Sequence, residues 1–244
     1  MKQSIFTIKS NEYLTDNVLK MCLEGDTSAI TAPGQFINIQ LDGLYLRRPI
    51  SVYDKDENSV TIIYKVVGKG TEQMSKLHQG DKLDVLTGLG NGYDTSISGD
   101  TPLLIGGGVG VPPLYMLAKK LILEGKKVSV ILGFNTKDEV FCEQDFINLG
   151  ANVTVTTADG SYGIKGFVTE GMNIPYSYFY TCGPLPMLKA VYISSETEGQ
   201  FSFEERMGCG FGACMGCSCK TITGYKRICK DGPVLKKEEI LWEN

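Results

Sequence analysis

A chain of 244 residues is long enough for two modest domains, or for one large domain with an appendage. Its 42% apolar and 21% charged residues are ordinary for a soluble globular protein. The net charge of −4, without a basic patch, speaks against a nucleic-acid partner, and a single histidine excludes a histidine-rich metal site.

The opening MKQSIFTIKSNEYL lacks the unbroken apolar core of a signal peptide. No stretch approaches the ~20 apolar residues that span a bilayer, so no membrane association is expected. A cytoplasmic placement follows, where thiols stay reduced, and this disfavours a disulfide role for the eight cysteines. His78 sits in the polar, turn-like stretch SKLHQGDKL and reads as a surface residue.

The first hundred residues read as β-rich. FINIQL (36–41), SVTIIYKVV (59–67) and KLDVL (82–86) are rich in β-branched and aromatic residues and are separated by Gly, Asp and Asn turns. One short helix is expected around Thr71–Leu77. Many short strands with close turns predict a small antiparallel barrel over residues 1–98.

Near residue 100 the pattern changes to alternating strands and helices. TPLLIGGGVGVPPLYMLAKKLILEGKKVSVILGF reads as strand, Gly-rich turn, helix and strand. Leu114, Leu117, Ala118, Leu121 and Ile122 recur at helical spacing, with Gly125 just past the end. Further strands are expected at 151–157 and 176–183, and a helix at 187–195. This alternation predicts a parallel sheet covered on both faces, an α/β unit over residues 99–200. Residues 201–244 are dominated by Cys and Gly and form a third unit too small for a core of its own. The fold class is therefore β plus α/β with a small cysteine-rich C-terminal unit.

Four motifs carry chemistry. Gly106, Gly107, Gly108 and Gly110 follow the first strand of the sheet and precede a helix, where backbone amides and the helix terminus suit a pyrophosphate. The rival reading is a tight turn, because Pro112 occupies the third-glycine region of G-x-G-x-x-G. Cys182, Gly183 and Pro184 end the last strand and could face the same crevice, or simply form a Gly-Pro turn beside an inert thiol. Arg47-Arg48-Pro49-Ile50-Ser51 could hold a phosphate through arginine, or be a solvated basic pair before an edge strand.

The cysteine-rich stretch MGCGFGACMGCSCK (207–220) is the most specific signal. Cys209, Cys214 and Cys217 give C-x4-C-x2-C, and Cys229 follows after eleven residues: plant-type [2Fe–2S] spacing with a shortened last interval. Zinc is the rival, since four thiolates suit it equally, but two C-x2-C pairs are absent. Cys217 keeps the spacing, and Cys219, two residues on, is not expected to face the same cluster. It reads as a packed or partly exposed free thiol.

The ordered set RRPIS, IYK…KGT, GGGVGVPP, CGPLPM and C-x4-C-x2-C…C resembles the electron-transfer subunits of class 1B dihydroorotate dehydrogenases, within the ferredoxin–NADP reductase superfamily. The resemblance runs essentially end to end. It implies an FAD-binding barrel in which Arg48, Pro49, Ile50 and Ser51, with Ile63, Tyr64, Lys65, Gly70 and Thr71, contact the flavin and its phosphate. Ile50 stands where the superfamily commonly has an aromatic residue, so ring stacking is expected from elsewhere, with Tyr64 the candidate. The central unit becomes the NAD domain, with Gly106, Gly107, Gly108, Gly110, Cys182, Gly183 and Pro184 as contacts. Cys209, Cys214, Cys217 and Cys229 become the [2Fe–2S] ligands.

Asp138, Glu139 and Asp159 stand where a 2′-phosphate would need cations, and only Lys137 could welcome one, so NADH is expected over NADPH. The implied chemistry is a relay: a hydride from NADH to FAD, then single electrons through the cluster, with no catalytic side chain of this chain required. The electrons are expected to pass to the FMN of a catalytic partner subunit in a heterotetramer of two plus two, serving the synthesis of UMP. The alternatives are the small subunit of an NADH-dependent ferredoxin:NADP oxidoreductase or sulfide dehydrogenase, and a zinc-binding module on a reductase scaffold.

Overall fold

The computed structural model describes residues 1–242. Six antiparallel strands close the barrel: β1 (Lys2–Thr15), β2 (Val18–Glu24), β3 (Phe36–Ile39), β4 (Arg48–Lys55), β5 (Ser59–Lys65) and β6 (Lys82–Leu89), in the order β1-β2-β5-β4-β3-β6. Helix α1 (Lys69–Ser75) follows β5. Period-two alternation sends Phe6, Ile8, Leu19, Met21, Leu23, Ile37, Ile39, Val60, Ile62 and Val85 inward, where all are buried. Met74 of α1 joins that core, and the Asn11 amide donates to the carbonyls of Met74 and Leu77 at 2.9 and 3.0 Å, satisfying the end of the helix.

The second layer begins at β7 (Pro102–Gly107), followed by α2 (Pro113–Leu123), β8 (Ser129–Phe134), α3 (Glu143–Asn148), β9 (Asn152–Thr157), β10 (Ile164–Lys165), β11 (Tyr178–Cys182), α4 (Leu185–Ser194) and β12 (Gly199–Ser202). Its sheet runs β10-β9-β8-β7-β11-β12, parallel throughout, with one further strand from the C-terminal segment added beyond β12. Alternate residues of β7 serve opposite faces. Leu104 packs under α2 with Leu114, Leu117 and Leu121, whereas Leu103 and Ile105 meet Leu188 and Val191 of α4. Strands buried on both sides explain the continuous apolar runs in this part of the sequence.

The C-terminal segment forms a hairpin, β13 (Ser218–Thr221) and β14 (Gly224–Arg227), and then β15 (Val234–Lys236). Strand β15 adds to β12 antiparallel, with Phe201 opposite Leu235. The break expected at residue 200 thus falls inside β12, and the cysteine-rich segment is anchored to the central sheet. Ile228, Cys217, Cys229 and Leu235 share one buried cluster with Phe201, Ile105, Phe36 and Leu86, so this unit borrows its core from both neighbours. Full burial of each large apolar side chain there is worth about 1.5–3 kcal/mol.

Barrel and sheet are joined chiefly at β4 and α2. Tyr53 stacks on Tyr115 with centroids 4.3 Å apart and donates to Asp145 at 2.6 Å, while Lys119 pairs with Asp54 at 2.8 Å. Asn91, just after β6, ties the barrel to the C-terminal segment: its amide donates to the Val234 carbonyl at 2.8 Å. No helix among the described residues is long and apolar enough to cross a membrane.

Candidate functional site

The cysteine loop is built as two pairs. Cys209 and Cys214 place their Sγ atoms 3.4 Å apart, and the Cys214 N–H donates to the Cys209 sulfur at 3.4 Å. In the second pair the Cys229 N–H donates to the Cys217 sulfur, also at 3.4 Å. Among the described residues no three His, Cys, Asp or Glu gather as they would round a single ion. A two-plus-two arrangement suits a rhombic cluster with one pair of thiolates per iron.

The chemistry of the donors fits such a group. Burial works against ionising Cys209, but the N–H groups of Cys214, Phe211 and Ala213 outweigh it and lower the thiol to about 6. Burial pushes the Cys229 thiol up to about 12, and the adjacent Cys217 adds to the rise. Ionising Cys229 therefore needs a compensating positive charge, which a bound iron would supply. Gly208 and Gly216 flank the Cys214 sulfur so closely that an added Cβ would lie 3.3 and 3.6 Å from it.

Cys219 belongs to neither pair. It lies in β13 opposite Lys226, half-buried, and burial with the nearby Glu205 raises its pKa. Strand alternation alone would put residues two apart on the same side. The separation arises because Cys217 sits in the turn before β13, with its side chain buried.

The Gly-rich turn and the Cys-Gly-Pro turn meet directly. In the β7–β11 pair Cys182 stands opposite Gly106, and a Cβ on Gly110 would fall 2.3 Å from the Cys182 carbonyl oxygen. Gly107 and Gly183 both lie against Met187, which seats the start of α4 beside the turn. Gly108 adopts φ +51°, a left-handed value that suits glycine. Burial pushes the Cys182 thiol up to about 12, so it is no nucleophile at neutral pH.

On the barrel, Arg48, Pro49, Ile50 and Ser51 open β4 and are all half-buried, in contrast to the buried Val52 and Tyr53 after them. Arg48 reaches over the start of α1: a Cβ on Gly70 would collide with its guanidinium at 2.0 Å. The Thr71 hydroxyl accepts from the N–H of Val67 at 2.9 Å, fixing the turn beneath. Lys65 lines a cleft with Asn17, Gly108, Val109, Phe134 and Glu139, so barrel and Gly-rich turn share one opening.

Two residues in the expected flavin set point elsewhere. Ile63 is buried toward the sheet, and Tyr64 is 2% exposed inside the barrel, its hydroxyl donating to Asn11 at 2.9 Å. Tyr64 therefore offers no ring face for stacking, which corrects that expectation. Inward alternation from Ile62 accounts for it. Asn38 escaped the sequence reading altogether: it is 1% exposed, and its amide donates to the Cys209 carbonyl at 3.3 Å. A lone polar residue in the apolar run FINIQL was the available signal.

A six-stranded barrel, a parallel nucleotide-binding sheet and a paired-cysteine loop define a reductase of the ferredoxin–NADP reductase type with an iron–sulfur module. The iron-sulfur cluster binding domain of dihydroorotate dehydrogenase B matches residues 204–241. The chain is 44% identical to the dihydroorotate dehydrogenase B (NAD(+)) electron transfer subunit of Fusobacterium nucleatum, across 98% of this chain and 99% of that one. Its identity to the Bacillus pumilus subunit is also 44%, over 98% of each chain. A solved NADH-dependent reduced ferredoxin-NADP oxidoreductase superposes with a TM-score of 0.89 at 30% identity, covering 98% of this chain and 90% of that one. The chain belongs to the dihydroorotate dehydrogenase B electron-transfer subunits, the oxidoreductase components that serve pyrimidine biosynthesis alongside a catalytic subunit.

Proposed function

We propose that this chain carries electrons between a catalytic, FMN-containing dihydroorotate dehydrogenase subunit and NAD(+), through a [2Fe–2S] cluster and FAD. The observation that carries the reading is the adjacency of three surfaces. The thiol pairs lie against β3 of the barrel through Asn38, β3 pairs with the half-buried start of β4, and Lys65 shares a cleft with Gly108.

In this reading Cys209, Cys214, Cys217 and Cys229 hold the cluster, which supplies one-electron transfer. Arg48, Pro49, Ile50, Ser51, Lys65, Gly70 and Thr71, with the backbone of Ile63 and Tyr64, hold FAD. Gly106, Gly107, Gly108, Gly110, Cys182, Gly183 and Pro184 receive the dinucleotide. The chain's contribution is to hold the rings and exclude competing reactions, which needs no side-chain acid or base. Glu139 lines the cleft and Asp159 keeps its carboxyl ionised through Ser161, so a 2′-phosphate would meet like charge.

The direction of net flow is opposite to the outward relay expected from NADH. Oxidising dihydroorotate to orotate releases two electrons and two protons, and NAD(+) takes both electrons with one proton as a hydride. Electrons thus enter at the cysteine loop and leave at the nicotinamide. Run backward, the isolated chain oxidises NADH when given an artificial acceptor.

The test is purification of the single chain. FAD, about two irons per chain and a rhombic EPR signal on reduction are expected, with NADH oxidation by artificial acceptors and no dihydroorotate turnover until the partner is added. A colourless, zinc-loaded protein, or dihydroorotate turnover without a partner, would overturn the reading. Co-purification in a heterotetramer with FMN and FAD together completes it.

A further inference from the structure

Asn38 is a polar side chain on a strand whose four residues are all buried. Its neighbours Ile37 and Ile39 point into the barrel, so Asn38 lies on the outer face, as do Phe36 and, across the ladder, Leu86. That outer face packs against the buried cluster containing Cys217 and Cys229.

Four neighbours define its position. The Asn38 amide donates to the carbonyl of Cys209 at 3.3 Å, which fixes which way the carboxamide is turned. Gly210 lies flat against it: a Cβ there would be 2.3 Å from Nδ2, and Gly210 has φ +77°. In the ladder Asn38 stands opposite Pro49, in the half-buried start of β4. The Asn38 backbone is held in turn by Arg47, whose guanidinium donates to the carbonyls of Asn38 and Asp84 at 3.3 and 3.0 Å.

The remaining feature is a deficit. Asn38 Oδ1 is buried and has no hydrogen-bond partner. Leaving a buried acceptor unpaired is costly, and buried polar groups are nearly always satisfied. Pro49, directly opposite, has no N–H to offer. A flavin carries donors of the right kind in its ring N–H and ribityl hydroxyls.

We propose that Asn38 is a positioning residue that joins the two redox sites: Nδ2 holds the cluster loop at Cys209, and Oδ1 accepts from an N–H or O–H of FAD bound along β4. The inference rests on the proposed cofactor placement. One short side chain then fixes the separation of flavin and cluster, and loss of either contact loosens that spacing. Electron transfer between the two centres is more sensitive to this than hydride exchange with the nicotinamide.

Asn38→Leu removes both hydrogen bonds at similar volume, and Asn38→Asp keeps the acceptor while removing the Nδ2 donor. Each loaded variant is mixed rapidly with NADH, and flavin bleaching is followed beside growth of the reduced-cluster EPR signal. The ratio of cluster reduction to flavin bleaching is expected to fall at least tenfold in Asn38→Leu. The EPR line shape should shift and FAD should be retained less tightly. In Asn38→Asp, FAD retention is kept but the cluster signal changes.

A ratio, line shape and FAD retention within twofold of the unaltered chain in Asn38→Leu would overturn the proposal. If that variant does not retain iron, Asn38→Asp decides: an unchanged ratio and EPR signal there overturn it equally. An unaltered chain containing neither FAD nor iron refutes the cofactor placement instead, and is distinguished by flavin and iron analysis before any mixing.

Discussion

At the level of single residues, Cys219 and Cys229 make opposite predictions from similar chemistry. Cys229 is 2% exposed and its N–H bonds the Cys217 sulfur, whereas Cys219 belongs to neither thiol pair and lies across from Lys226. Cys229→Ser is expected to lose most of the bound iron and the EPR signal, while Cys219→Ser keeps both; iron analysis beside EPR checks the pair, and the reverse result would undo the ligand assignment. Tyr64 gives a second residue-level outcome. Its hydroxyl bonds Asn11 inside the barrel core, so Tyr64→Phe should lower stability by about 1 kcal/mol in a denaturant titration and leave FAD content unchanged. Loss of flavin from that variant would restore Tyr64 to the cofactor site.

Among the elements, the junction of β7, its glycine turn and α2 is set by one close approach. Gly110 stands where a methyl group would meet the Cys182 carbonyl at 2.3 Å, so Gly110→Ala must push the turn away from β11. The expected outcome is a rise in KM for NADH of about tenfold, or 1.4 kcal/mol, with FAD and iron retained. Steady-state kinetics with an artificial acceptor measure it. This junction was legible in the sequence because its signals are strong: a continuous apolar strand, adjacent glycines, then Leu114, Leu117 and Leu121 at helical spacing. The C-terminal strands were not. β13, β14 and β15 have three or four residues each, too few for a period to show; β13 and β14 pair with each other, and β15 forms because the central sheet offers β12 as an edge. Cys217 and Cys219 were separable by motif spacing, but the turn that separates them had to be seen. Tyr64 and Ile63 read as one motif, yet alternation sends them to different cores. Asn38 was legible only as an oddity, since its significance depends on Cys209 arriving from the far end of the chain.

For the whole molecule, the cysteine loop has two sides. Its inner side shares a core with Phe36, Leu86 and Phe201. Its outer side exposes Phe211 and Met215, 42% and 62% accessible, within the loop that carries Cys209 and Cys214. Exposed large apolar side chains beside the proposed cluster suit docking of the catalytic partner, since on the proposed path electrons enter at this loop. Replacing both with glutamate would put two charges into that contact, and burying unpaired charge is costly. The double variant Phe211→Glu/Met215→Glu is therefore expected to weaken association with the catalytic subunit by about tenfold or more. NADH oxidation by a small artificial acceptor reports on the FAD and nucleotide sites alone and should stay within about twofold, because neither residue reaches the cleft at Lys65 and Gly108. Titration of the catalytic subunit, read by dihydroorotate-dependent NAD(+) reduction, separates the two effects. Full activity at unchanged partner concentration would move the docking surface away from the loop, to another face of the molecule.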